Sequence, residues 1–213
     1  MVDVKDVLRV LASERPVFHS EADFQHAFAW EIHQRLPNAL IRLELPIPVK
    51  GERIHLDVWC AHTDMAFAVE LKYKTRRTAV RLGQEQFALK DQGAQDLGRY
   101  DFLKDIQRLE QVVEDRENTT GYAVLLTNDS AYWGQPRPQS IYAHFSLHHG
   151  RLIQGSLQWG AGASAGTKRG REKPLILHGR YAVNWTDYSR PTPNPYGLFR
   201  YLMIEVPKRH GAR

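Results

Sequence analysis

Residues 54–73 read Ile54-His55-Leu56-Asp57-Val58-Trp59-Cys60-Ala61-His62-Thr63-Asp64-Met65-Ala66-Phe67-Ala68-Val69-Glu70-Leu71-Lys72-Tyr73. Ile54 to Cys60 and Ala66 to Tyr73 have the texture of strands, and the interval between them is too short for a parallel crossover. The two segments are therefore expected to pair antiparallel. A turn symmetric about Thr63-Asp64 sets Asp57 directly opposite Glu70, where paired Cβ atoms lie about 5 Å apart. Side chains alternate across a strand, so Glu70 and Lys72 share one face while Val69, Leu71 and Tyr73 share the other.

Two carboxylates and an ammonium are thus predicted on one patch. Carboxylates that close repel each other and raise one another's pKa, so a cation must offset them. Lys72 supplies part of that charge. Mg²⁺ would supply the rest, because it prefers oxygen ligands and keeps positions open for water and phosphate oxygens. Such a patch suits phosphodiester cleavage: the metal acidifies a bound water, and Lys72 holds the attacking water or the developing charge on phosphorus.

Upstream, Ile41 to Leu45 alternates apolar and polar residues and Lys50-Gly51-Glu52 reads as a turn, giving a three-stranded meander. Val4, Val7, Leu8 and Leu11 recur at helical spacing and predict a short helix ending near Arg15-Pro16. Ser20, with Asp23 three residues on, caps a second helix from Glu21 to Arg35 whose apolar stripe is Phe24, Ala27, Phe28 and Ile32. Downstream, Asp96 to Asp115 is helical in period, although Gly98 weakens its first turn. Tyr122 to Thr127 is a nearly all-apolar strand of the kind covered on both faces. Ser140 to Leu147, Leu152 to Trp159, Leu175 to Trp185 and Leu198 to Val206 are strand-like. Between two of these, Gly160 to Lys173 is small and flexible, then basic, and predicts a mobile loop. The expected organisation is an N-terminal helix over 1–19, an α/β core over 20–137, and a β-rich C-terminal extension over 138–213 carrying the basic loop 160–173.

Composition narrows the field. The 213 residues are 42% apolar and carry one cysteine, which excludes a disulfide scaffold and a Cys-rich zinc site. No apolar run approaches the roughly 20 residues of a membrane-spanning helix. With no basic-then-hydrophobic leader at the start, a cytoplasmic protein is expected. A formal charge of +5 is compatible with a polyanionic partner.

Leu56-Asp57-Val58 followed by Val69-Glu70-Leu71-Lys72, in the order helix, three strands, helix, buried strand, resembles the PD-(D/E)XK or restriction-endonuclease-like nucleases over about residues 20 to 128. Leu56 stands where that family's name-giving proline would be. The resemblance implies an α-β-β-β-α-β core with a mixed sheet flanked by helices. It also implies a Mg²⁺-dependent nuclease, with Mn²⁺ as a substitute metal and DNA favoured over RNA. Asp57 and Glu70 would ligate the metal with the Leu71 main-chain carbonyl, and Lys72 would be the catalytic lysine. A glutamate of the preceding helix commonly approaches the metal in such proteins; Glu21 is the choice here, with Glu31 as the alternative. Lys168, Arg169, Arg171 and Lys173 of the basic loop are candidate phosphate contacts. The sequence leaves a homodimer open.

Other patterns carry less. Asp101 and Asp105 are like charges one turn apart, either part of a salt-bridged solvent face with Arg108 or kept for substrate or metal contacts. Gly162 to Lys168 lacks the Gly-Lys-Ser/Thr ending of a phosphate-binding loop. His144, His148 and His149 do not share one strand face and are expected to be structural. Trp185, Tyr188, Tyr196, Phe199 and Tyr201 are expected mainly in the core. The competing reading is a non-catalytic nucleic-acid-binding module on a nuclease-like fold. A third is an enzyme of another class using the C-terminal part.

Overall fold

The computed structural model describes residues 3–49, 52–137 and 139–209; the predicted turn at Lys50-Gly51 lies outside them. Helices α1 (Val4–Glu14) and α2 (Glu21–Arg35) come first, α1 capped by Asp3. Ser20 caps α2 by accepting the Asp23 N–H at 3.1 Å, as its spacing predicts. The meander follows as β1 (Leu40–Val49), β2 (Glu52–His62) and β3 (Met65–Lys74). β2 and β3 pair antiparallel from Val58 with Val69 to His62 with Met65, the register of a turn symmetric about Thr63-Asp64.

A hairpin absent from the sequence reading comes next, β4 (Thr78–Leu82) with β5 (Glu85–Leu89). Its signal was a Gly83-Gln84 turn between short strands, with Gly83 at the positive φ such a turn requires. The long helix α3 (Gln95–Glu114) then crosses to β6 (Thr119–Thr127), which lies parallel to β3. The main sheet has the order β1-β2-β3-β6-β10-β9, with β9 (Trp185–Ser189) and β10 (Phe199–Val206) antiparallel additions beyond β6. The C-terminal part thus continues the central sheet while also forming a separate pair, β7 (Leu152–Leu157) with β8 (Leu175–Ala182). The result is a mixed α/β fold with a six-stranded mixed sheet flanked by helices.

Two apolar layers cover the sheet. On one face Val4, Leu8, Phe24 and Phe28 pack over Val58, Cys60, Val69, Leu71 and Tyr73. On the other Leu103, Ile106 and Leu109 of α3 pack over Ala68, Ala123 and Leu125. The β1–β2 hairpin changes allegiance along its length. Val58 and Cys60 belong to the α2 face, whereas Ile54 and Leu56 belong to the α3 face. An even-numbered strand cannot change faces without an irregularity. It falls where Glu44 and Asp57 would have paired: the ladder runs Leu43 with Val58, then Leu45 with Leu56, and Glu44 has φ 52°. Pro46 and Pro48 are tolerated because β1 is an edge.

Two C-terminal expectations are corrected. Ser140 to Leu147 is a turn with a 3₁₀ segment at Ala143–Phe145. The carbonyls of Ala143, His144 and Ser146 all accept from the Arg151 guanidinium, which draws them to one point and leaves no ladder to form. Leu175 to Trp185 divides between β8 and β9, which pair with different partners. Among the described residues no helix is long and apolar enough to cross a membrane.

Gly98 is demanded by packing. A Cβ there would lie 2.2 Å from the Tyr132 hydroxyl. Gly98→Ala should therefore destabilise by about 1–3 kcal/mol through overpacking, although alanine is the better helix former by about 1 kcal/mol. Tyr132→Phe should recover part of the loss. Urea unfolding of both variants checks this, and a Gly98→Ala protein as stable as wild type would refute it.

Candidate active site

The site forms where β2 leaves β3. Beyond the Val58–Val69 pair the ladder stops, so the β3 edge from Leu71 onward faces α2 and the end of β2. Two side chains replace the missing strand. Asp57 Oδ2 accepts the Leu71 N–H at 2.6 Å, and Glu21 Oε2 accepts the Tyr73 N–H at 2.7 Å. The Leu71 carbonyl, which points the same way as its N–H, has only the Lys72 ammonium at 3.4 Å. Gln25, one turn after Glu21 on α2, holds the other side: its Nε2 donates to the Asp57 carbonyl at 2.7 Å and to Glu44 at 2.9 Å.

Glu70 and Lys72 project to the α3 face, where a residue of α3 meets them. Lys72 Nζ lies 3.3 Å from Asp105 Oδ2, and the other Asp105 oxygen accepts from Arg108 at 3.1 Å. Asp105 and Glu70 are each only 3% exposed. Three carboxyl groups, Asp57, Glu70 and Asp105, therefore share two cations in a largely buried space. Burial pushes the Asp57 carboxyl up to about 6, against the opposing pull of Lys72 and the Leu71 N–H. Burial and the neighbouring Asp105 and Asp57 charges hold Glu70 well above the usual carboxylate range. Burial raises Asp105 as well, although Lys72 and Arg108 oppose it. Burial alone would lower Lys72, but Asp105, Asp57, Glu21 and Glu70 outweigh it and keep the ammonium charged.

Glu70 Oε1 has no hydrogen-bond partner, and Asp105 Oδ2 has the Lys72 charge nearby without a hydrogen bond. Such orphans cost about 1–3 kcal/mol each. Glu110, another buried acid of α3, makes the contrast: it accepts from the His178 and Gly179 N–H groups and from the Tyr181 hydroxyl. Glu110 is fully used in fixing β8 to α3, whereas one oxygen of Glu70 is buried without a hydrogen bond. Among the described residues no group of three or more His, Cys, Asp or Glu side chains is spaced to hold a metal ion by itself. By donor type alone, the carboxylates of Asp57 and Glu70 and the Leu71 carbonyl are the oxygen ligands that a hard divalent cation takes.

The other predicted residues are distributed as follows. Glu31 is paired with Arg35 Nε at 2.6 Å and lines the groove between α1 and α2, so Glu21 is the helix glutamate at β3. Arg171 makes two 3.0 Å bonds to Asp101, while Ser164 caps the short helix α4 (Ala165–Lys168). Lys168, Arg169 and Lys173 lie on that same segment. His144 and His149 accept from the Gln158 and Trp185 N–H groups, and His148 bonds Ser146. Trp185, Tyr188 and Phe199 are core, and the Tyr196 ring lies under the Arg76 guanidinium. Gln25 was missed as a site residue, although a polar residue beside the apolar stripe of α2 marked it. For Asp105 the like-charge spacing with Asp101 left a salt-bridged face and a substrate or metal contact both open, and the structure sets it beside Lys72.

No protein-family model, curated protein or solved structure matches this chain.

The raised carboxyls give stability a definite pH dependence. Asp57 has an ordinary value of 3.8 and a folded value of about 6, so its neutral form favours the folded state. That contribution is full below about pH 4 and is lost as pH rises through 6. In chelator, Asp57→Asn should match wild type near pH 4, since asparagine can still accept the Leu71 N–H, and exceed it in stability near pH 8. Urea midpoints across that range check the sign; a difference that stays constant with pH would remove the buried-charge account.

Proposed function

We propose that this protein is a divalent-metal-dependent nuclease of the PD-(D/E)XK type, cleaving phosphodiester bonds with Mg²⁺, DNA being favoured over RNA through the family resemblance. The observation that carries this reading is the convergence of Asp57, Glu70, Lys72 and a Leu71 carbonyl outside the β2–β3 ladder at the edge where β2 diverges from β3. The six-stranded mixed sheet with helices on both faces is compatible with a restriction-endonuclease-like core.

Asp57, Glu70 and the Leu71 carbonyl would hold the metal. The chemistry a Mg²⁺ ion would supply there is a lowered pKa of a bound water and neutralised charge on the phosphate. Lys72 keeps its proton under the influence of four acids and donates hydrogen bonds to the attacking water and to the phosphate oxygens that gain charge. Asp105 aims that ammonium from behind. Glu21 and Gln25 act as positioning residues: one holds the β3 edge through the Tyr73 N–H, the other fixes the Asp57 backbone.

The alternative, a binding module with a retired site, is disfavoured by the buried unpartnered oxygens. A fold released from catalysis gains by replacing them with apolar groups.

Incubation with single-stranded, duplex and branched DNA, with and without Mg²⁺, is the direct test. Lys72→Met should lose roughly 10²-fold or more of the cleavage rate while keeping the fold and nucleic-acid binding. Glu70→Gln should weaken metal affinity, so excess Mg²⁺ should restore part of its activity and none of the lysine variant's. If no DNA or RNA form is cut with any divalent ion, yet wild type and Lys72→Met bind one of them equally, the binding module replaces the nuclease.

A further inference from the structure

We propose that the cavity between α3, the first half of β2 and residues 170–175 receives one unpaired nucleotide of the strand being cut. Its volume is about 490 Å³, in the range of small-molecule sites and too small for a duplex. The proposal deepens the nuclease reading by naming the state of its substrate.

The lining has the chemistry of a nucleotide. Ile54 and Leu175 supply apolar wall, and both are buried. Lys104 and Lys173 line the cavity and form no ion pair among the described residues. They are the free cations for a phosphate, since Arg171 is held by Asp101 and Arg108 by Asp105. The one acid of the lining, Glu172, is engaged with the Gly170 N–H. Gln111 offers an amide with both a donor and an acceptor for a base edge. Tyr100 contributes only its rim, because one ring face is stacked on Trp159 and Arg171 lies over the ring. The base is therefore held by shape and the amide, not by aromatic stacking.

Position ties this cavity to the site. Asp105 bonds Arg108 of the cavity wall with one oxygen and faces Lys72 with the other. One carboxylate thus separates the two, which suits neighbouring phosphates of a single strand. The cavity is open to solvent on one side, and its volume of about 490 Å³ admits one nucleotide and not a base pair with its flanking duplex, so a nucleotide seated against its walls has left its partner.

The test is anisotropy of the full chain in chelator with a labelled single strand, a blunt duplex and the same duplex carrying one bulged nucleotide. Wild type should prefer the single strand and the bulge. Lys104→Ala with Lys173→Ala should weaken both by about tenfold and the blunt duplex far less. Gln111→Trp, which fills the cavity without altering charge, should weaken the same two probes and leave the salt slope unchanged. Equal losses on blunt duplex, wild-type affinity in Gln111→Trp, or no binding of any probe would overturn the proposal. So would competition by free thymidine monophosphate as effective as by the strand. Binding of the bulge without cleavage in Mg²⁺ would leave this site standing and remove the nuclease reading; cleavage of blunt duplex unaffected by Gln111→Trp would do the reverse.

Discussion

The 2.6 Å hydrogen bond from the Leu71 N–H to Asp57 is the contact on which the site depends. A strand that leaves its neighbour exposes a row of backbone donors and acceptors that must be satisfied or solvated. Here β2 pairs with β3 only from Val58 onward, and the β3 donors left beyond that pair are taken by Asp57 and Glu21. Two acidic side chains are thereby brought to the sheet edge by backbone demand. The same departure frees the Leu71 carbonyl, an oxygen that a continuous ladder would have used.

The departure is enforced from both sides. Ile54 and Leu56 are drawn to the α3 face while Val58 and Cys60 are held under α2, so the strand must twist between them. Glu44 absorbs the opposing strain in a left-handed conformation that a non-glycine residue adopts at some cost. Gln25 ties the Glu44 side chain to the Asp57 carbonyl, bracing the break from α2. The hydrophobic layers thus fix the position of a polar irregularity, and the irregularity positions the carboxylates.

Burial then sets their electrostatics. Asp105 enters from α3 and shares Lys72 with Asp57 and Glu70, in a space where water can screen little. Replacing such a cluster with apolar side chains would relieve desolvation, as the fully satisfied Glu110 nearby illustrates for an acid used only as structure. The excess of buried acid over base gives this region its dependence on protonation.

What the sequence determined by itself was local. The capped helix from Glu21, the strands on either side of Thr63-Asp64 and their register, which the ladder keeps as far as Val58 with Val69 and ends one pair short of Asp57 and Glu70, depend on alternation, turn chemistry and capping among near neighbours. Those signals operate over a few residues, which is why they survive reading without a fold. The strand expected at Ser140 to Leu147 failed because a guanidinium several residues downstream gathered its carbonyls. The placement of β10 beside β6, with β9 beyond it, required partners far away in the chain, such as Val206 with Gly121. Only the tertiary structure chose Asp105 over Asp101 and Gln25 as the brace, and it set Glu21, already preferred from its first-turn position, against the Tyr73 N–H. Each choice depends on which face of a helix meets a distant strand, and that is decided by burying two apolar layers at once, a constraint no local pattern contains.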